Sequence, residues 1–286
     1  MLLYKNVKDL NNYLDSVRKQ DKTIGFSPTM GALHEGHTSL LKHSIASSDC
    51  TVCSIFVNPT QFNESSDLVH YPRTPGKDLE LLHAVGCDVV FMPPVEEVYP
   101  ENVDTSVNFD FKGLDLPMEG ANRPGHFAGV AQVIYRFLDI LKPDNIYMGQ
   151  KDFQQYSIIQ RMLELAKSST KIVMVPTVRE ADGLAKSSRN VRLTKAHRNL
   201  APIIHQTLQE AKSKIHSHFP QQIEKEAMAK LKAVEGFKPE YFDIVEARTL
   251  QPFDVFEDVR YAVACTAVWA GDVRLIDNVI LKWEKG

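Results

Sequence analysis

Short apolar runs and longer amphipathic stretches alternate along the first 180 residues of the chain. Thr23–Ser27, Cys50–Val57, Asp88–Met92, Asn145–Met148 and Lys171–Val175 have the length and composition of strands buried on both faces. Thr38–Ala46, Asp78–Val85, Val130–Leu141 and Phe153–Lys167 carry helical periodicity, with Gly86 as one stop signal and Pro143 as another. This alternation predicts a parallel sheet joined by right-handed crossovers. Ligands of such sheets bind beyond the carboxyl ends of the strands. The polar residues that stand out in this sequence fall there, in loops after four of the strands.

From about Asp182 the pattern changes. Ala201–His216 and Gln222–Val234 read as helices, and Tyr241–Ala247, Val263–Val268 and Arg274–Leu281 as strands. The expected organisation is therefore a parallel-sheet α/β domain over residues 1–180 and a smaller α+β domain over 181–286 that acts as a lid. No internal repeat or low-complexity tract interrupts either part.

Composition narrows the partners. A chain of 286 residues is long enough for two domains, and 43% apolar with 24% charged residues is ordinary for globular proteins. The net charge of −3 gives no electrostatic reason to expect a nucleic-acid partner. No apolar run approaches the roughly 20 residues of a membrane span, and Met1-Leu2-Leu3-Tyr4-Lys5 turns polar too soon for a signal peptide. A cytoplasmic protein is expected, without membrane or nucleic-acid partners. Cys50 and Cys53 have CxxC spacing, but residues i and i+3 of a strand point to opposite faces, which favours core packing over a shared metal.

Four groups of residues can do chemistry. The first is Pro28-Thr29-Met30-Gly31-Ala32-Leu33-His34-Glu35-Gly36-His37, a strand, a glycine-bearing turn and a helix start. Unpaired backbone N–H groups and the helix dipole make such a turn an anion site, and Gly31 and Gly36 allow a phosphate to approach the backbone. With a helix starting near Leu33, His34 and His37 share one face and can donate to phosphate oxygens. A zinc site at His34-x-x-His37 lacks completing ligands nearby. The second group is Gly149-Gln150-Lys151-Asp152. Asp152 suits a helix N-cap, whereas a lysine at a helix N-terminus is poorly explained by capping. The third is Lys186-Ser187-Ser188-Arg189, two cations around two hydroxyls, fit to clamp a polyphosphate. The fourth is the amide set in Asn58-Pro59-Thr60-Gln61-Phe62-Asn63 and Gln154-Gln155, able to read carboxylate and hydroxyl groups.

In these groups, together with Tyr71-Pro72-Arg73-Thr74, Arg123-Pro124-Gly125-His126-Phe127 and Ser187-Ser188-Arg189-Asn190, the chain resembles the pantothenate synthetases, ligases that join pantoate to β-alanine. Order and spacing agree over nearly the whole length. The resemblance implies a Rossmann-like parallel-sheet domain followed by the smaller C-terminal domain, in a nucleotidylyltransferase-like group related to class I aminoacyl-tRNA synthetases. His34-Glu35-Gly36-His37 matches the H-x-G-H signature of that group, and Lys186–Arg189 resembles its second signature.

The resemblance also implies a reaction. Pantoate carboxylate attacks the α-phosphorus of ATP, giving pantoyl adenylate and pyrophosphate; the amine of β-alanine then displaces AMP. His37, His34 and Lys151 would be catalytic. Met30, Gly31, Ala32, Leu33, His34, Glu35, Gly36, His37, Gly149, Gln150, Lys151, Asp152, Val178, Lys186, Ser187, Ser188 and Arg189 would bind ATP. Gln61, Gln155, Asn58 and Arg123 would bind pantoate and β-alanine, and Asp78 would hold Mg²⁺. A homodimer is expected on the same basis.

Three positions depart from the family pattern: Lys186 replaces the usual Met, Gln150 a Glu, and Thr38 a Leu. Lys186 is expected to point to solvent rather than tighten the clamp. Gln150 leaves Lys151 less neutralised, and Thr38 concerns packing. The competing readings are a nucleotidylyltransferase that stops after transfer to a phosphorylated acceptor, and a nucleotide sensor without catalysis. Gln61 and Gln155 argue against the first, since a phosphorylated acceptor would call for more cations. His34, His37 and Lys151 together argue against the second.

Overall fold

The computed structural model describes residues 1–62, 68–69 and 71–284. Asn63, in the fourth polar group, lies outside them. The chain divides into two compact units. The first comprises Met1–Asp115, Asn122–Gly149 and Gln155–Pro176; the second comprises Leu116–Ala121, Gln150–Gln154 and Thr177–Gly286. Along the chain the last change from the first unit to the second comes at Pro176/Thr177, and two short pieces of the N-terminal part belong with the second unit.

The first unit is a six-stranded parallel sheet. Its strands are β1 (Leu2–Tyr4), β2 (Ile24–Thr29), β3 (Cys50–Ile55), β4 (Val89–Phe91), β5 (Asn145–Gly149) and β6 (Lys171–Val175). They lie in the order β1-β4-β3-β2-β5-β6, so the chain reverses its direction of travel across the sheet between β2 and β5. That switch point opens a crevice at the carboxyl ends of these two strands. Each end carries one of the predicted groups: the loop before His37 follows β2, and Gly149 closes β5.

Helices cover both faces. On one, α2 (Glu35–Ser47) and α3 (Pro75–Val85) bury Leu41 and Leu82 against Cys53, Ile55 and Val90. On the other, Phe137 of α6 (His126–Leu141) makes edge-on contacts with Phe26, Phe56 and Phe91 at centroid separations of 5.6, 5.8 and 6.1 Å. Short helices α4 (Val95–Val98) and α5 (Glu119–Asn122) precede α6, and α7 (Phe153–Leu165) follows β5. The Cys50 and Cys53 thiols are both buried; burial pushes Cys50 up to about 11 and Cys53 well above its ordinary value, leaving inert thiols as expected of core residues. The strand β1 and the helix α1 (Val7–Arg18) were not anticipated. Their signal was present: Leu10, Leu14 and Val17 repeat at helical spacing and are buried, and the Asn6 side chain caps α1 by accepting from the Asp9 N–H.

The second unit contains an antiparallel sheet, β7 (Phe237–Glu246), β8 (Tyr261–Ala270) and β9 (Val273–Trp283), paired in that order. Helices α9 (Ile203–Lys214) and α10 (Pro220–Lys232) follow the short α8 (Lys195–Leu200). Ile204, Leu208, Ile223 and Leu231 of α9 and α10 pack on Phe242, Ile244, Val268 and Leu275 of the sheet. The segment Leu116–Ala121 is tied to this sheet by charge. Arg274 donates to both oxygens of Glu119 at 2.7 Å and to Glu240, and the Tyr241 hydroxyl donates to Glu119 at 2.8 Å. Burial, then the Glu119 charge, pushes the Tyr241 phenol up, so it stays a donor. Gln154 fixes the same segment by accepting from the Glu119 N–H (3.0 Å) and donating to the Pro117 carbonyl (2.9 Å). Among the described residues no helix is long and apolar enough to cross a membrane.

Candidate active site

The loop after β2 turns sharply through two consecutive left-handed residues, Gly31 (φ +83°) and Ala32 (φ +49°). Ala32 pays for its Cβ in that conformation with roughly 1–2 kcal/mol. What holds the turn is Asp78 of α3. Its Oδ2 accepts the Ala32 N–H at 3.0 Å, and its Oδ1 accepts the Leu33 N–H at 2.8 Å and the Thr74 hydroxyl at 3.1 Å. Only 2% of Asp78 is exposed. A side chain at Gly31 would press on this clamp, since a Cβ would lie 3.1 Å from Asp78 Oδ2. Asp78 as a Mg²⁺ ligand does not fit this arrangement. The carboxylate is buried and already committed to three protein donors, so it organises the loop instead of offering oxygens to a cation.

Helix α2 begins at Glu35, with His34 as its N-cap in extended conformation (φ −144°, ψ 178°). His34 Nδ1 accepts the Gly36 N–H at 3.1 Å, and His37 Nδ1 accepts the His34 N–H at 3.2 Å. This is a capping box in which two histidines replace the usual hydroxyl and carboxylate. The two rings lie 4.1 Å apart, centroid to centroid.

The expected cradle of backbone N–H groups is thereby corrected. The amides of Gly31, Ala32, Leu33, His34 and Gly36 are accepted by Thr29, Asp78, His37 and His34 side chains. The loop also presents the positive end of the α2 dipole and the two imidazoles. Because each Nδ1 is an acceptor, each neutral ring carries its proton on Nε2.

Next to the loop, Gln61 closes a 3-10 turn (Pro59–Gln61) that follows β3. Its Nε2 donates to the Met30 sulfur at 3.0 Å, which places this amide against the loop. The turn is built around Asn58, 1% exposed. Asn58 Oδ1 accepts from the Tyr99 hydroxyl (2.9 Å) and from both the N–H and the hydroxyl of Thr60. Its Nδ2 donates to the Gly129 carbonyl (3.1 Å) and to Gln61 Oε1 (3.3 Å). Asn58 therefore supports Gln61 from within this turn. Helix α6 can approach this turn only because residue 129 is glycine: a Cβ there would collide with the Thr60 carbonyl oxygen. Arg123 connects to the same turn through His126, which it contacts at 3.1 Å, while His126 Nδ1 donates to the Gln61 carbonyl at 2.9 Å.

Gly149 ends β5 and has open space where a Cβ would stand, so protein packing does not require a glycine there. Gln155, the other expected pantoate amide, is half-buried in the first turn of α7.

Within the second unit, Gln150, Lys151 and Asp152 form a 3-10 turn before α7. Residues Val178–Lys186 form a short hairpin, closed by the Lys186 N–H on the Val178 carbonyl (2.9 Å) and a bridge between Arg179 and Ala185. The Ser187 hydroxyl then caps the 3-10 turn Ser188–Arg192 by accepting the Arg189 N–H at 3.2 Å. Lys186 does not point to solvent: its ammonium pairs with Glu180 at 3.1 Å, and its side chain is 17% exposed. The extra charge of this departure from the family pattern is absorbed within the hairpin. Thr38 also has a local role, donating to the Glu35 carbonyl in the first turn of α2. The sequence pattern does not mark Asn278, and it marks His126 only within the family resemblance. It marks Gln154 as a substrate-reading amide, whereas its side chain accepts from the Glu119 N–H and donates to the Pro117 carbonyl. All three are buried amide or imidazole groups whose importance lies in contacts with residues distant in sequence.

The model of the family described as pantoate-β-alanine ligase matches residues 2–280. A pantothenate synthetase of Porphyromonas gingivalis is 46% identical over 279 residues, covering 98% of this chain and 99% of that one. Another, of Phocaeicola vulgatus, is 47% identical over 283 residues, covering 99% and 100%. Among solved structures, pantothenate synthetase of Thermus thermophilus superposes with a TM-score of 0.91 at 37% identity, covering 99% of this chain and 100% of that one. The pantoate-β-alanine ligase of Francisella tularensis, complexed with β-γ ATP and β-alanine, has a TM-score of 0.80 at 34% identity, covering 100% and 99%. By match length, identity and fold, the chain belongs to the pantoate–β-alanine ligase family.

Proposed function

We propose that this chain condenses pantoate with β-alanine to pantothenate, using ATP, through a pantoyl-adenylate intermediate. In the first step a pantoate carboxylate oxygen forms a bond to the α-phosphorus, and the bond to the β-phosphate bridging oxygen breaks to release pyrophosphate. In the second, the β-alanine amine attacks the acyl carbon, loses a proton, and expels AMP as the acyl–oxygen bond breaks. The substrates provide both nucleophiles, so the protein's work is positioning and stabilising charge.

The observation that carries this reading is the pair of Nε2 donors of His34 and His37 at the N-terminus of α2, at the switch point of the sheet. Their Nε2 edges are suited to donate to negative charge. Lys151, Ser187, Ser188 and Arg189 serve the ATP phosphates, with Met30, Gly149 and Val178 framing the nucleotide. Gln61 and Gln155 bind pantoate, and Arg123 supports Gln61 through His126. Mg²⁺ accompanies the ATP phosphates, and no step depends on Asp78 as its ligand. A homodimer in the cytoplasm follows from the family resemblance.

Radiolabelled ATP–pyrophosphate exchange tests the reading. Exchange that requires pantoate but not β-alanine supports adenylate formation. Absence of exchange with any hydroxy acid overturns it.

A further inference from the structure

The side chain of Asn278, in the middle of β9, reaches the turn that carries Lys151. Its Nδ2 donates to the carbonyls of Gln150 and Lys151, both at 2.9 Å, and its Oδ1 accepts from Gln150 Nε2 at 3.2 Å. One amide thus satisfies two successive carbonyls and a side-chain donor. The residue is 2% exposed, where an unmade hydrogen bond is costly.

Asn278 is itself held firmly. Its backbone pairs with Cys265 in the register of β8 and β9. Its N–H donates to Asp277 Oδ1 at 2.8 Å, and its carbonyl accepts from Arg179. Arg179 in turn grips both oxygens of Asp277, at 2.7 and 2.9 Å. The orientation of the Asn278 amide follows from the two carbonyls it faces, because a flipped group would set oxygen against oxygen. With Oδ1 aimed at residue 150, that residue must offer a donor. Gln150 does, and the carboxylate of the usual family Glu would not. The departure at position 150 is therefore matched to this contact.

We infer that Asn278 is a positioning residue: by pinning the carbonyls of Gln150 and Lys151 to the C-terminal sheet, it fixes the direction in which the Lys151 side chain leaves the backbone. This rests on the proposed role of Lys151 in ATP chemistry. A lysine has four side-chain torsions, so fixing its root removes backbone drift that its own flexibility would otherwise add. Misplacement of a reacting or charge-stabilising group by about 1 Å can cost on the order of 10²-fold in rate.

The test compares Asn278→Asp, nearly isosteric but without the Nδ2 donor, and Asn278→Ala with Lys151→Ala and the Lys151→Ala/Asn278→Asp double variant. Steady-state kcat and the ATP KM are measured, with thermal midpoints alongside. Asn278→Asp should lower kcat about tenfold or more, with little change in ATP KM. In the Lys151→Ala background the same change should cost less than about twofold, because its effect runs through the missing ammonium. An equal loss in both backgrounds, or full turnover in Asn278→Asp, overturns the inference. If Asn278→Asp does not fold, Asn278→Ala supplies the same cycle. Full turnover in Lys151→Ala alone overturns the role of the lysine, a result distinguishable from failure of the positioning role.

Discussion

His34 and His37 cap one helix end reciprocally: His34 Nδ1 accepts the Gly36 N–H, and His37 Nδ1 accepts the N–H of His34. The arrangement fixes the neutral tautomer of both rings, because a proton on Nδ1 would face a backbone donor. Structure and chemistry can therefore be separated by substitution. Asparagine is a good N-cap, and glutamine is at home at the third helical position of a capping box. His34→Asn and His37→Gln should each keep a near-native thermal midpoint while lowering pantoate-dependent pyrophosphate exchange roughly 10²–10³-fold. Wild-type exchange in either variant would remove that histidine from the chemistry.

Asp78→Asn changes the loop clamp without changing its size. An NH₂ group would replace one of the oxygens that accept the Ala32 and Leu33 amides. One donor would then face another, at a cost of about 1–3 kcal/mol in stability, measurable by denaturant unfolding. The ATP KM should rise as the Gly31–Ala32 turn relaxes. Excess Mg²⁺ should not restore it; full recovery on raising Mg²⁺ would return Asp78 to the role of metal ligand.

Gly129→Ala drives a methyl group into the Thr60 carbonyl and displaces the turn that carries Gln61. Overpacking of this kind costs about 1–3 kcal/mol. Pantoate KM should rise more than ATP KM, because the displaced amide is the one proposed to bind pantoate. Equal effects on both substrates, measured by initial rates, would count against Gln61 as a pantoate contact.

A pH effect is expected at His205, which packs against Gly183 in the hairpin leading to Lys186. Burial, then the Arg179 charge, holds its imidazole below the ordinary value. The folded state therefore binds fewer protons than the unfolded state once the pH drops below about 6.5. Its contribution to stability is present above that pH and is lost as pH falls from there through the lower folded value. Thermal midpoints of His205→Gln should decline less than wild type across that interval. Parallel curves would show that this ring does not set the acid limb.

Much of the architecture was legible because burial leaves periodic marks. Lys171–Val175 emerges as β6 with the predicted bounds, and the apolar run at Cys50 becomes β3. Missed elements were short or amphipathic in a polar context: β1 has three residues, and α1 follows a stretch read only for targeting signals. Of the site, residue types were legible and their commitments were not. Asp78, Asn58 and Lys186 stand out in the sequence as polar groups without any sign of their partners. The structure spends Asp78 on the Ala32 and Leu33 amides, Asn58 on Tyr99, Thr60 and Gly129, and Lys186 on Glu180.

By itself, then, the sequence determined the parallel α/β plan, the loop ending in His34-Glu35-Gly36-His37 and the family, since periodicity and motif spacing are local properties of the chain. Only the tertiary structure decided which amides of that loop were already taken, which nitrogen of each histidine carries its proton, and that Asn278 holds the turn of Lys151. The histidine contacts span only two or three residues but depend on the backbone turn that Asp78, 45 residues from Leu33, holds. Gln150 and Asn278 are 128 residues apart. A buried donor or acceptor must be paired, but its sequence does not say with whom.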